Sequence, residues 1–300
     1  MNVLYLECNM GAAGDMLMSA LYELLDDKAG FISKMNSAGL PGVNISPIGA
    51  SSCGIAGTRI EVTVNGTEEE SLDVHSHCHE HDGHGHVHEH DGEHGHGHEH
   101  THGNEHAHVH EHAHTHCHEH SEEHAHVHHA HTSLADIHAL IESMEMPEKV
   151  KQDAAEVYDE LAKAESAAHG KEISQVHFHE VGAMDAIADI VGVSLALYML
   201  APEEIIASPI HMGRGLVRCA HGIVPVPAPA TAALLKGIPC YSTDIEGELC
   251  TPTGAALIRH FAGSYAPMPV MTPKSVGYGI GKKSFPAANC VRAFLGEKWN

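Results

Sequence analysis

The 300-residue sequence is poor in basic residues, with 16 Lys and Arg against 40 Asp and Glu, and it has a single Trp. With so few bases, nothing in it resembles the basic face that a nucleic-acid-binding protein needs. No run of 18 apolar residues occurs, and the N-terminus lacks the basic start and apolar stretch of a signal peptide. We therefore expect a cytoplasmic protein that binds neither nucleic acid nor membrane.

The cysteines form no C-x-x-C pair, although the sequence contains eight of them. This scatter argues against a zinc ribbon and against a disulfide framework. Most of the cysteines are expected to be free thiols.

Histidine is abundant in one segment. Residues 66–131 hold 26 of the 33 histidines and 15 of the 40 acidic residues, with no Lys or Arg. Repeats such as HAHVHEHAHTHCHEH place an imidazole at every second residue, so that neighbouring rings can chelate one ion. Imidazole suits nickel, copper, zinc and cobalt, and we expect His75–His131 to bind divalent metal ions, with nickel as the predicted ion. A solvated spacer and a metal buffer without catalytic function are the alternatives.

The same composition predicts the domain organisation. A segment with so few large apolar residues cannot offset the entropy of ordering itself, so residues 66–131 are predicted to be a disordered insertion. Residues 1–65 and 132–300 are then the two parts of a single globular body. Helical and strand-like patterns alternate loosely along it, which predicts an α/β or α+β fold.

The densest group of potential ligands in that body lies in HFHEVGAMDAIADIVG. His177 and His179 share one side of an extended segment, and Glu180 follows them. Asp185 and Asp189 are spaced i and i+4 on the helix that comes next. Two imidazoles and three carboxylates could bind a divalent metal with a general base beside it. An equally weighted alternative is that Asp185 caps the helix and the histidines are ordinary loop residues.

Several glycine-flanked loops are candidates for anion binding. NMGAAGDM, with Gly11, Gly14 and Asp15, follows a strand and begins a helix, where a phosphate or a magnesium ion could bind, although glycines there are also plain turn formers. SPIHMGRG and RCAHGIVPVP contribute further candidates, His211, Arg214, Arg218 and His221. In TPTG, Thr251 and Thr253 could bind through their hydroxyls or merely begin a helix. GYGIGKKS lacks the first glycine and the Ser or Thr of a P-loop, so we reject that interpretation.

Several motifs in the same order resemble one family along nearly the whole chain. They are YLECNMGAAGDM, the histidine-rich insertion, HFHEVGAMDAIADIVG, AHGIVPVPAPATAALLKG, GELCTPTGAALI, GYGIGKKS and ANCVRAFLGE. The family is that of the nickel insertion proteins, which complete the nickel-pincer cofactor of lactate racemase.

The resemblance implies an enzyme of cofactor biosynthesis, a nickel-inserting lyase or cyclometallase. It would place Ni²⁺ into pyridinium-3,5-bisthiocarboxylic acid mononucleotide, forming two nickel–sulfur bonds and one nickel–carbon bond. CTP would be hydrolysed, and Mg²⁺ or Mn²⁺ would be required. Family members continue into a C-terminal domain associated with CTP, so either a separate C-terminal subunit supplies that domain or the chain is a shortened product. A homo-oligomer is compatible with the sequence.

Forming a nickel–carbon bond requires loss of a ring proton, and so a loosely ligated metal with a base nearby. Our assignments are these: catalytic, Glu180, Asp185 and His221; substrate-binding, Gly11, Gly14, Asp15, Arg214, Arg218, Thr251 and Thr253; metal ligands, His177, His179, Asp185, Asp189 and His211. Two rival hypotheses remain open. One is a nickel store or metallochaperone that needs only the histidines, and the other is a metal-dependent phosphohydrolase that uses Asp15, Asp185 and Asp189.

Overall fold

A computed structural model describes residues 1–68, 132–178, 181–219 and 222–299 of the chain. Contacts divide the chain into two units, one made of residues 1–74 and 129–300 and the other of residues 75–128. The predicted disorder and metal binding of the histidine-rich segment therefore lie outside the described residues. The first unit has a mixed α/β fold, in agreement with the predicted class.

The helices are α1 (Gly14–Leu24), α2 (Lys28–Asn36), α3 (Leu134–Ser143), α4 (Glu148–His169), α5 (Met184–Leu200), α6 (Pro229–Leu234) and α7 (Pro252–Phe261). The strands up to the fifth helix are β1 (Asn2–Glu7), β2 (Val43–Ser52), β3 (Ile55–Val64), β4 (Thr67–Glu68), β5 (Thr132–Ser133) and β6 (His177–Phe178). The later strands are β7 (Glu204–Ala207), β8 (Ile210–His211), β9 (Gly213–Arg214), β10 (Leu216–Cys219), β11 (Gly222–Pro225), β12 (Cys240–Tyr241), β13 (Gly247–Glu248), β14 (Ser264–Tyr265), β15 (Met271–Ile280) and β16 (Cys290–Lys298).

Local sequence signals explain where several helices begin. The Ser133 side chain and Asp136 form a reciprocal capping box at α3, and Thr251 accepts a hydrogen bond from the Gly254 N–H at the start of α7. Pro229 and Pro252 occupy first-turn positions, where the missing N–H has no helical partner to lose. The starts of α3, α6 and α7 therefore follow from their own local sequences.

The main sheet runs in the order β14-β7-β1-β16-β15-β3-β2, with β4 added to β3. Thr67 and Glu68, assigned from the sequence to the insertion, thus pair with the body. Strand β1 is parallel to β7 and antiparallel to β16, with Leu4 opposite both Ile205 and Leu295. The carboxyl ends of β1 and β7 consequently lie at one edge, where the Cys8 N–H donates to the Ser208 hydroxyl at 2.9 Å.

The core is formed where the helices cover one face of the sheet. Leu4 and Leu6 of β1 belong to the large buried cluster that includes α1, α4, α5 and α7, whereas Val3 and Tyr5 point into a small cluster on the other face. Helix α5 is buried along most of its length, as its apolar sequence predicts. In the described part of the chain, no helix combines the length and the apolar character needed to cross a membrane.

Cysteines in the described ranges are all free thiols, as expected. They are Cys8, Cys53, Cys219, Cys240, Cys250 and Cys290.

Candidate active site

The loop from β1 to α1 needs glycine at two positions. Gly11 has φ of 78°, and a Cβ there would lie 2.0 Å from the Leu249 carbonyl oxygen. Gly14 is the first residue of α1, and a Cβ on it would lie 2.7 Å from the Asp189 Cβ. The glycines of this loop are therefore more than turn formers, because the second one lets α1 approach α5 closely.

This approach places three carboxylates near enough for their charges to interact, and we call them the acidic site: Asp15, Asp185 and Asp189. Asp15 lies in the first turn of α1, and Asp185 and Asp189 lie one turn apart at the start of α5. The Met16 N–H donates to Asp15 and the Ala186 N–H donates to Asp185. Oδ1 of Asp189 is buried without a hydrogen-bond partner among the described residues. Such an orphaned oxygen is costly unless a cation or a proton satisfies it.

Electrostatics explain why the acidic site favours a bound cation or proton. Burial raises the pKa of Asp189 well above its ordinary value, and the charges of Asp15 and Asp185 raise it further. The pKa of Asp15 is raised chiefly by burial, against the lowering effect of Lys282. Carboxylates with raised pKa values beside like charges are typical of metal sites and of general bases.

Two cations, which the sequence interpretation missed, border the acidic site. Lys282 follows β15 in the GYGIGKKS motif, and Arg59 lies on β3; both lower the pKa of Asp15. Lys282 also pairs with Glu68 at 2.8 Å, and Arg59 approaches Glu68 at 3.7 Å. The motif is not a P-loop, yet it supplies a lysine to the site.

Tyr158 of α4 is a further neighbour that the sequence interpretation missed. Burial and the charges of Asp185 and Asp189 raise its pKa, and its hydroxyl donates to the Val181 carbonyl.

The N-terminus of α7 lies against the same loop. The Thr251 N–H donates to the Ala12 carbonyl at 3.0 Å, and a Cβ on Gly254 would lie 2.0 Å from that carbonyl oxygen. The hydroxyls of Thr251 and Thr253 are 3.0 Å apart. The N-termini of α1 and α7 therefore converge around residues 12–15, where their dipoles stabilise negative charge, whether of Asp15 or of a bound anion.

His211 lies buried on β8, next to the start of the same loop. Its backbone N–H donates to the Cys8 carbonyl, and its Nε2 is 2.8 Å from the Thr243 hydroxyl. Its Nδ1 is buried without a partner in the described part of the chain, and burial lowers the pKa of the ring. A neutral imidazole with a free nitrogen retains the ability to bind a metal. No hydrogen bond between described residues joins it to the acidic site.

The remaining predicted residues are not brought to the acidic site by any contact that the structure describes. Arg214 is exposed and pairs with Asp244 at 2.8 Å, and Arg218 is exposed on β10. The backbone of His177 pairs with Ser133 through β6 and β5. His179, Glu180 and His221 lie outside the described residues, as does the side chain of His177. Their assigned functions stay predictions.

Comparison with known proteins identifies relatives along the chain. The family model for "Nickel insertion protein" matches residues 4–300. A pyridinium-3,5-bisthiocarboxylic acid mononucleotide nickel insertion protein from Desulfitobacterium hafniense is 48% identical over 169 residues, which are 56% of this chain and 42% of that relative. Proteins of the same name from Geobacillus kaustophilus and Acetivibrio thermocellus are 33% and 34% identical over 299 residues, which are 99% of this chain.

Those 299 residues are 60% and 61% of the two relatives. The chain thus spans between 42% and 61% of the length of these curated relatives. No solved structure matches it.

Proposed function

The chain belongs to the nickel insertion protein family, and on that premise we propose that it places Ni²⁺ into pyridinium-3,5-bisthiocarboxylic acid mononucleotide. Two nickel–sulfur bonds form with the thiocarboxylates, one nickel–carbon bond forms at the ring, and the displaced ring proton passes to a base. The acidic site is the observation that carries this proposal, because it groups three carboxylates, one of which has a buried oxygen without a partner among the described residues.

Within the acidic site, we propose different functions for the three carboxylates. Asp189, whose Oδ1 has no partner among the described residues, is a nickel ligand together with Asp185. Asp15 lies on the other helix, α1, where it accepts a hydrogen bond from the Met16 N–H, and we propose that it binds the metal or the substrate. The base is Asp185 or Glu180, with His221 as a further catalytic candidate. Carboxylates hold nickel loosely enough for its transfer to sulfur and carbon ligands.

The phosphate of the mononucleotide would lie against the converging N-termini of α1 and α7. The N–H groups there, the hydroxyls of Thr251 and Thr253, and the ammonium of Lys282 are suitable partners for a phosphate. This arrangement would place the pyridinium ring near the acidic site. Arg214 and Arg218 are proposed as more distant substrate contacts.

The histidine-rich segment is proposed to raise the local nickel concentration. Its two flanks belong to the body: Glu68 pairs with Lys282 beside the acidic site, and Thr132–Ser133 pairs with His177–Phe178 just before α5. Chelating groups tethered next to a site raise the effective concentration of what they bind.

We also propose CTP as co-substrate and a separate C-terminal subunit as a partner that would supply the CTP-associated part, on the basis of the family resemblance. Mg²⁺ or Mn²⁺ is proposed as the required divalent cation. The acidic site fits such an ion as well, since carboxylate oxygens are the ligands these ions prefer and one oxygen of Asp189 is unsatisfied. There the ion would neutralise charge on phosphate oxygens. A homo-oligomer and a cytoplasmic location belong to the same proposal.

The test is nickel incorporation by the full chain with purified precursor, CTP and Mg²⁺, followed by mass spectrometry of the product. The same assay is repeated with the C-terminal part of a longer relative added. Asp189→Asn should abolish incorporation, whereas Asp26→Asn, an exposed carboxylate outside the site, should not change it. Equal turnover by the two variants would remove the acidic site from the reaction.

A nickel store is the alternative function, and the histidine-rich segment favours it. Storage predicts many weakly bound ions that are all lost when residues 75–131 are deleted. Insertion predicts a further stoichiometric site in the deleted protein, which equilibrium dialysis with nickel would count.

A further inference from the structure

A second group of potential metal ligands lies away from the acidic site, between α4 and α7. Asp153 and Glu156 of α4 and His260 of α7 each offer one ligand atom, and these three atoms all lie within 4.8 Å of one another. Among the described residues, this is the group of three that meets that distance. We call it the α4–α7 cluster, and we propose that it binds a first-row divalent transition-metal ion.

The helix geometry explains how the ligands converge. Asp153 and Glu156 are spaced i and i+3, so their side chains share one face of α4. His260 reaches them from near the C-terminal end of α7, with its Nε2 3.0 Å from Asp153 Oδ1 and its Nδ1 3.9 Å from Glu156 Oε2. The cluster is therefore built by two helices that pack against each other in the core.

The distances suit a metal after a small side-chain movement. First-row ions bind nitrogen and oxygen ligands at about 2.0–2.2 Å, so two ligand atoms of one ion lie at most about 4.4 Å apart. The three ligand atoms lie within 4.8 Å of one another, so a movement of a few tenths of an ångström at most brings them within that limit. One imidazole with two carboxylates is a mixed nitrogen and oxygen set that suits zinc, nickel, cobalt or manganese.

An ion would replace hydrogen bonds that Asp153 Oδ1 makes with Lys149 and His260. Gln152 donates to Oε1 of Glu156, so Oε2 faces His260. Asp153 has a side chain only 8% exposed, so a cation bound there would be largely desolvated. The Lys149 Nζ lies 2.7 Å from Asp153 Oδ1 in an ion pair. Because the Lys149 side chain is 60% exposed, it can move into solvent when a metal ion binds Asp153.

The cluster is distinct from the acidic site. His260 lies about 13 Å along the helix axis from Thr251, at the other end of α7. An ion there would cross-link α4 to α7, the helix whose N-terminus adjoins the loop at Ala12. Such a cross-link would stabilise the packing of α7 on α4 and so the position of Thr251 at the start of α7. The ion would bind in the absence of substrate.

Mn²⁺ titration of the full chain, with free ion measured by electron paramagnetic resonance, tests the proposal. Mn²⁺ is a suitable probe because imidazole-rich sites bind it less tightly than they bind nickel or zinc. Every variant carries the same histidine-rich segment and acidic site, so their contributions cancel in the comparison. Glu156→Gln and His260→Ala should each bind one Mn²⁺ fewer, or bind it at least about tenfold more weakly.

Two further variants complete the design. Glu145→Gln removes an exposed carboxylate that lies outside the cluster and should bind Mn²⁺ as the wild type does. Lys149→Gln removes the competing ammonium and should bind more tightly. Glu156 and Lys149 are at least 48% exposed, so these two variants decide the question even if His260→Ala fails to fold. Identical isotherms for the wild type, Glu156→Gln and Lys149→Gln would overturn the proposal.

Discussion

Gly14 of α1 and Asp189 of α5 are in such close contact that position 14 has no room for a side chain. A Cβ on Gly14 would lie 2.7 Å from both the Cβ and Oδ2 of Asp189. The position of the Asp189 carboxylate in the acidic site thus depends on the absence of a Cβ at Gly14 of α1.

Gly14→Ala should therefore displace Asp189 and separate α1 from α5. Overpacking of this kind costs about 1–3 kcal/mol of unfolding free energy, and nickel incorporation should be lost with it. Gly49→Ala is a matched control, since a Cβ there meets nothing within 4 Å. Urea unfolding and the incorporation assay measure both effects. If Gly14→Ala unfolds at the same urea concentration as the control, the two helices are not as tightly packed as described.

The pH dependence of stability should change when Asp189 is replaced. Because the folded-state pKa of Asp189 is raised, its ionisation costs the folded protein more than the unfolded chain. Its stabilising contribution is full below the ordinary carboxylate pKa and is lost as the pH rises through the raised value. Metal-free Asp189→Asn should consequently lose less stability than the wild type between acid and neutral pH. Parallel stability curves for the two proteins would contradict the raised pKa.

Lys282→Met should weaken substrate binding more than it slows the reaction. Lys282 opposes the negative charge of Asp15 and Asp189 and is our candidate for a phosphate contact. Losing one charge-assisted hydrogen bond is worth about 1.5–3 kcal/mol, so KM for the precursor should rise roughly tenfold or more. Lys34→Met, an exposed lysine on α2, serves as the control. A normal KM with a reduced kcat would place Lys282 in the chemical step instead.

Deletion of residues 75–131 should matter only when nickel is scarce. If the histidines act as a tethered supply, the rate of incorporation falls at limiting nickel and recovers at saturating nickel. The measurement is the rate as a function of free nickel, for the full chain and the deletion. Complete loss at saturating nickel would exclude a supply function.

Local features of the fold could be predicted from the sequence where a short pattern decides the structure. The apolar run MDAIADIVGVSLALYML forms α5 along its whole length, and Ser133, Pro229 and Thr251 mark helix starts as their chemistry predicts. Asp185 and Asp189 could be grouped for the same reason, since helical spacing alone puts them on one face.

Long-range neighbours could not be predicted in this way. Asp15 lies 170 residues before Asp185, and only the packing of α1 on α5 joins them. The GYGIGKKS motif does not match a P-loop, and so the sequence gives no reason to assign Lys282 to a site. Its position beside Asp15 depends on where β15 ends in a sheet built from distant strands. The α4–α7 cluster has the same origin, because no spacing connects His260 with Asp153.

The pairing of β1 with β16 also governs when the sheet can be completed during synthesis. Strand β1 cannot pair with its antiparallel neighbour, β16, until residues 290–298 have been synthesised. Strand β15 depends on β16 in the same way. Until those residues leave the ribosome, two strand edges are open to pairing with other chains. A protein terminated just before Cys290 should therefore collect in inclusion bodies, even though it retains every residue of the acidic site.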